Sequence, residues 1–246
     1  IKRICPIFSL FFLCLLCSLT ACGQGEQDRA GGFSFTDDLG REVTVASHER
    51  VAVLLGSFCA VVGILFCSSL HKAGHAYRKH FPNAYVRILA GSAIYMVLTL
   101  IFRDLSYNGG GLPLIEQCFE GHRVPWYAFL VKILFTAVAL EAGFRGGEIV
   151  PTLCVGATFG YTVGALLGVP TGLCAAMGMV CLFVSVTNCP VSTTMMAFEL
   201  FGFEAMPYFS IAIAVSFTLS GYYGLYSSQR FAYSKIRAEF IDRQTH

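Results

Sequence analysis

The run Ala142-Gly-Phe-Arg-Gly-Gly-Glu-Ile-Val-Pro151, continued by Thr152-Leu-Cys-Val-Gly-Ala-Thr-Phe-Gly-Tyr-Thr-Val-Gly-Ala-Leu-Leu-Gly168, decides how this chain reads. Gly143, Gly146 and Gly147 make a loop that tolerates unusual backbone angles, and Pro151 suits the first turn of a helix, where its missing N–H costs nothing. A short helix is therefore expected from about Val150. Its first N–H groups lack intrahelical acceptors and point back into the glycine loop with the positive end of the helix dipole behind them. Such a helix can hold an anion without a cationic side chain. Glu148 lies in the same loop. Gly156, Gly160, Gly164 and Gly168 recur every fourth residue and predict a bare stripe for close helix packing of the kind found between membrane helices. An ordinary glycine-rich bundle helix is the plainer alternative.

Composition agrees with a membrane setting. The chain has 246 residues, 55% hydrophobic and only 13% charged, with a mean hydropathy of +0.65, which is far from a typical soluble domain. Across Pro125–Tyr226 the only charges are Lys132, Glu141, Arg145, Glu148, Glu199 and Glu204, so several segments there can span or enter a bilayer. A net charge of +2 without a basic, aromatic-studded stripe argues against nucleic acid. Cys59, Cys67, Cys154, Cys174 and Cys181 stand singly in apolar runs and read as small hydrophobes, not as a disulfide framework. Cys14 and Cys17 have metal-pair spacing but sit in a signal-like apolar run. His71 and His75 share a helix face with no third ligand nearby, so no metal or other cofactor is implied. No nucleophile, base and orienting group recur in a polar context, which excludes an evident enzyme site.

From the start, Lys2 and Arg3 precede the apolar run Ile7–Leu19 and then Leu19-Thr-Ala-Cys22, the order of parts in a secretory signal. This end resembles a bacterial lipobox and makes Cys22 a candidate lipidated residue, with an uncleaved first membrane helix as the alternative. Gly23–Gly32 reads as a flexible tether. Two short strands are expected around Asp38-Leu-Gly40. The phrase from Phe33 to about Phe58 is similar to the N-terminal strands of siderophore-binding lipoproteins. On that reading residues 1–22 are a signal, 23–58 an extracytoplasmic piece and 59–246 a membrane domain. The apolar segment to Leu70 then delivers Lys72, Arg78 and Lys79 to the cytoplasm, and further spans follow at Tyr85–Phe102 and Pro125–Ala142. Asp104–Val124 reads as a polar break. Beyond Gly168 the apolar runs are short and Gly/Pro-interrupted, the sign of broken helices lining an ion site, with short helices expected to start near Pro190 and Tyr226 and to face the start of the helix after Pro151.

Gly146-Gly-Glu-Ile-Val-Pro151, Val155-Gly-Ala-Thr-Phe-Gly160, Asn188-Cys-Pro-Val-Ser-Thr-Thr-Met-Met-Ala-Phe-Glu-Leu-Phe-Gly202 and Gly224-Leu-Tyr-Ser227 occur in the order and spacing of the C-terminal half of the CLC chloride channels and proton-coupled anion antiporters. The resemblance covers about Cys59–Phe240. It implies an all-α integral membrane fold, half of an inverted-repeat architecture, in a bacterial inner membrane. It implies chloride or fluoride as the transported anion, bound by Gly147, by the backbones of Glu148 and Ile149 and by the Tyr226 hydroxyl. Gly146, Pro151 and Asn188 are structural motif residues. Glu148, where most of the family carries an apolar residue, resembles the fluoride-exporting branch and implies proton coupling, since an apolar vestibule raises a carboxylate's proton affinity. A helix-terminal acid that only complements the dipole is the alternative. No run of the type that supplies the first repeat's anion and gating loops is present. The expected partners are therefore membrane lipid, protons, the anion, and a second copy or a missing N-terminal half. A non-functional fusion fragment and a lipid-anchored siderophore-binding lipoprotein remain alternative readings.

Overall fold

In the computed structural model, residues 34–36, 42–44, 48–121, 123–144, 146–202, 205–226, 229–233, 235 and 240–244 are described. The signal-like run, the tether and Cys22 lie outside the described residues.

A continuous apolar sequence with no proline from Val51 to Leu70 gives the first and longest helix, α1, at His48–His80, 33 residues ending on Arg78, Lys79 and His80. It is preceded by the expected strands, β1 (Ser34–Thr36) and β2 (Glu42–Thr44), paired antiparallel with Phe35 opposite Val43. Helix α1 is already helical ahead of the 58/59 boundary and runs unbroken across Phe58 and Cys59. The remaining helices are α2 (Ala84–Phe102), α3 (Leu112–Phe119), α4 (Ala128–Ala142), α5 (Ile149–Leu167), α6 (Thr171–Thr187), α7 (Pro190–Phe201) and α8 (Met206–Leu219). A second antiparallel pair, β3 (Arg230–Tyr233) with β4 (Phe240–Gln244), follows the helices. The segment read as a polar break is not structureless. It holds a 3-10 turn at Leu105–Tyr107 and then α3, which Gly111 starts in a left-handed conformation and which buries Leu114 and Cys118.

Among the described residues, three helices are long and apolar enough to cross a membrane: Arg50–His80 within α1, Ala84–Phe102 and Ile149–Leu167. Nineteen residues rise about 28 Å, close to the ~30 Å hydrocarbon core. The helix after the glycine loop is thus a full span, a correction to the short helix expected from the sequence. Glycines inside a membrane helix cost little when a neighbouring backbone fills the space they leave, so the four-residue stripe does not interrupt it. Helices α6 and α8 are shorter, at 17 and 14 residues.

The stripe works as a helix contact at three of its four positions. A Cβ at Gly156 would lie 2.5 Å from the Gly178 carbonyl oxygen, one at Gly160 2.1 Å from that of Cys174, and one at Gly164 2.8 Å from the Cys174 Cβ. Backbone therefore lies on backbone between α5 and α6, with Gly178 answering from the α6 side. Gly168 is a correction: it caps α5 in a left-handed conformation, φ +68°, and touches nothing. Helix α1 packs across the same bundle in the same way, its Gly56 facing the Ala212 carbonyl of α8 and its Gly63 facing Ser185 of α6. The Ser216 hydroxyl donates to the Cys181 carbonyl at 2.8 Å, tying α8 to α6. Helix α2, by contrast, has only 6% of its apolar window buried and presents its surface outward, as a lipid-facing span can.

The candidate anion and proton site

The loop before α5 is built for exposure, not for packing. Gly143 ends α4 in a left-handed conformation, φ +110°, and is the loop glycine whose backbone needs to lack a Cβ. Gly146 and Gly147 do not adopt positive φ, and a Cβ on Gly147 would meet nothing within 4 Å. The space in front of the α5 N-terminus is therefore open at Gly147. Ile149 is the first helical residue and Pro151 is buried in the first turn. The Glu148 carbonyl accepts from the Thr152 backbone N–H at 3.2 Å and from its hydroxyl at 2.7 Å. That leaves the N–H groups of Ile149 and Val150 in the first turn, where no intrahelical acceptor exists.

Glu148 takes the position before the helix with φ −87° and ψ −18° and makes no side-chain capping bond. One of its carboxylate oxygens, Oε2, is shielded from solvent with no hydrogen-bond partner among the described residues. Its charge can complement the helix dipole without such a bond. Glu141, near the end of α4, and Cys67 of α1 are close enough to sense its charge. The Glu141 carboxylate itself occupies the bare surface at Gly74 of α1, with the Arg78 guanidinium alongside.

Tyr226 is half-exposed, as is Ile149. It starts no helix, which corrects the expectation of a short helix near it; after Tyr226 the chain leads to β3. What holds it in place is the end of α6. Leu225 N–H donates to the Val186 carbonyl at 3.0 Å, Gln229 N–H to the Tyr226 carbonyl at 3.1 Å, and the Gln229 side chain to the Thr187 carbonyl at 3.2 Å. Leu225 also packs against the apolar cluster of Val62, Phe66, Cys67, Leu70, Val155 and Leu182. That cluster includes Val155 of α5 and Val186 of α6, so the tyrosine segment packs on an apolar wall shared by α1, α5 and α6. Asn188 ends α6 in a left-handed conformation, φ +59°, and its carboxamide donates to the Tyr223 carbonyl at 2.8 Å. The asparagine is thus a capping residue that also grips the tyrosine segment.

Two lysines escaped sequence reasoning as site elements. Lys132 of α4 is fully buried and donates to the Tyr107 carbonyl at 2.8 Å and the Gly109 carbonyl at 2.7 Å. It pins the Leu105–Gly111 loop, whose Gly110 sits on Val150 and whose Gly111 carbonyl accepts from the Cys154 thiol. The loop thereby covers the first turns of α5. The signal was present: a lone lysine in an apolar helix needs acceptors, and a glycine-rich run in the preceding segment offers bare carbonyls. Lys235, beyond the helices, is the second. The cysteines in apolar runs, Cys59, Cys67, Cys154, Cys174 and Cys181, are buried and unbridged.

With this geometry in view the matches to known proteins fall into place. Residues 8–221 match the voltage gated chloride channel family. The chain belongs to that family. The match extends on both sides of Phe58. The chain is 34% identical over 236 residues to a chloride/fluoride channel protein of Pseudomonas syringae pv. tomato, covering 93% of this chain and 51% of that one. An H(+)/Cl(-) exchange transporter, ClcA, of Vibrio cholerae is 28% identical over 162 residues, 60% of this chain and 34% of the transporter. The crystal structure of a CLC-type fluoride/proton antiporter superposes with a TM-score of 0.72 at 28% identity, over 79% of this chain and 49% of that one. The matches thus span between a third and about half of the length of these family members, and the shared fold is the helical membrane fold of that antiporter.

Proposed function

We propose that this chain is one half of a CLC-type anion transporter in a bacterial cell membrane, moving fluoride or chloride with proton coupling at Glu148. The observation that carries the reading is the α5 N-terminus: its first-turn N–H groups lack intrahelical acceptors, a Cβ on Gly147 just ahead of them would meet nothing within 4 Å, and the shielded Glu148 Oε2 has no hydrogen-bond partner among the described residues. An ionised Oε2 there lacks the hydrogen bonds that a buried charge needs, so the carboxyl gains by taking up a proton. A small anion arriving at the N–H groups and a proton arriving at Glu148 offset each other's charge. That is the requirement for coupled movement. The Tyr226 hydroxyl would complete the anion's shell, and the names of the Pseudomonas relative, a chloride/fluoride channel protein, and of the fluoride/proton antiporter structure support fluoride or chloride as that anion.

A helical half cannot enclose a pathway whose other wall belongs to the first repeat, so the partner in this reading is a polypeptide carrying that first repeat, or a second copy, embedded in lipid. Purified chain reconstituted in liposomes, alone and with the first-repeat half of the Pseudomonas protein, tests this by fluoride and chloride efflux. Anion efflux in either preparation supports transport. Helical, correctly inserted protein with no efflux in both favours the second reading, a fragment without transport activity, which rests on the half-length coverage. The lipid-anchored siderophore-binding alternative gains nothing from the helices that follow Phe58. Lipidation at Cys22 is a separate proposal, tested by mass spectrometry of the mature N-terminus.

A further inference from the structure

Lys235 stands in the turn after β3, beyond every apolar helix, yet its ammonium is directed inward. It donates to the Asn188 carboxamide oxygen, to the Phe217 carbonyl at 3.0 Å and to the Ser220 hydroxyl at 3.0 Å, and lies 4.2 Å from the Phe217 ring centroid. One ammonium has three N–H donors, and all three meet acceptors drawn from the ends of α6 and α8. The same Asn188 carboxamide uses its other end to hold the Tyr223 carbonyl. Lys235, Asn188 and Tyr223 therefore form a chain of polar contacts ending three residues before Tyr226. A surface lysine that served only solubility would extend into water; this one gives up hydration to close that chain.

We propose that Lys235 is a positioning residue for Tyr226, fixing the orientation of the Asn188 carboxamide and through it the seat of the Tyr223–Tyr226 segment on the end of α6. The proposal deepens the reading of Tyr226 as an anion ligand and rests on it. Two measurements on the full-length chain in detergent keep the two apart: backbone hydrogen exchange of residues 223–226, and calorimetric titration with sodium fluoride. In K235M the exchange of 223–226 quickens while α5 and α6 keep their protection, and the fluoride dissociation constant rises about tenfold, the scale of losing one hydrogen bond to a charged group. Y226F weakens binding to a similar degree, and the K235M/Y226F double variant is no weaker than Y226F alone, a non-additivity that general loosening would not produce. K235R, which keeps the charge and donors, restores most of the affinity. Unchanged exchange at 223–226 in K235M overturns the proposal, as does faster exchange with unchanged affinity when Y226F binds more weakly. If Y226F binds fluoride as wild type does, the reading of Tyr226 as a ligand fails and the positioning role falls with it. Should K235M not fold, K235Q is measured in its place against the same outcomes.

Discussion

Replacing Gly160 by Ala adds one methyl group, and the structure fixes what it meets. The new Cβ would stand 2.1 Å from the Cys174 carbonyl oxygen, 2.9 Å from its carbonyl carbon and 3.1 Å from the Ala175 Cα. Every one of these atoms is backbone, so no side-chain rotamer can relieve the clash. Ordinary contact begins near 3.4 Å, so α5 and α6 must part locally by roughly 1 Å or bend. A gap of that size forfeits a quarter to a half of the dispersion energy of the atoms along it, and overpacked interiors lose about 1–3 kcal/mol. The upper end is expected because Gly156 and Gly164, one turn away on either side, share the seam. Gly147→Ala is the matched control: it adds the same methyl where nothing lies within 4 Å and where φ is not positive, so its cost is expected within about 0.5 kcal/mol. Equilibrium unfolding of the purified protein in mixed micelles, followed by far-ultraviolet circular dichroism, compares the two. G160A unfolding at the midpoint of G147A would refute the claim that backbone contact at this stripe holds the bundle together.

Other expectations follow from single contacts. K132M should leave the Tyr107 and Gly109 carbonyls without a donor, at about 1–3 kcal/mol for each stranded group, and should speed proteolysis within Leu105–Gly111. For Lys235, burial pushes the ammonium down to about 8, below its ordinary value near 10.5. Between those two values the unfolded chain binds more protons than the folded one, so stability rises with pH across that window; the rise in unfolding midpoint from pH 7.5 to 10 should be larger in wild type than in K235M. Alkylation of native protein with peptide mapping should label the exposed Cys189 and spare Cys59, Cys174 and Cys181, which are fully buried and become reactive only on unfolding.

Much of the fold was written in local patterns. The apolar runs locate the spans α1 and α2, though the span expected over Pro125–Ala142 is only the 15-residue α4; the glycine repeat foretells the α5 seam at Gly156, Gly160 and Gly164, and the turn residues Asp38-Leu-Gly40 in the sequence foretell β1 and β2. The misreadings share a cause, which is that partners decide what local sequence leaves open. Gly168 fits the four-residue spacing, but the chain turns there and the residue serves as a cap. The helix after Pro151 looked short because glycines weaken an isolated helix, whereas α6 supplies the packing that carries it across a full span. Tyr226 resembled a helix start, yet it lies in no helix among the described residues, and bonds from Leu225 and Gln229 to the end of α6 hold its segment. Glu148 stood out as a candidate from the glycine loop alone. The need of Lys132 for acceptors was legible too, but not which carbonyls answer it, nor the contacts of Lys235, because those acceptors come from residues 15 or more positions away in the chain.

The central claim is that anion and proton meet at Glu148. Isothermal titration with sodium fluoride, repeated at one pH in buffers of different ionisation enthalpy, counts the protons taken up as the anion binds. The account predicts net uptake approaching one proton per fluoride in wild type and almost none in E148Q, with both proteins folded. Equal proton uptake in the two would contradict it and leave Glu148 as a helix-terminal acid.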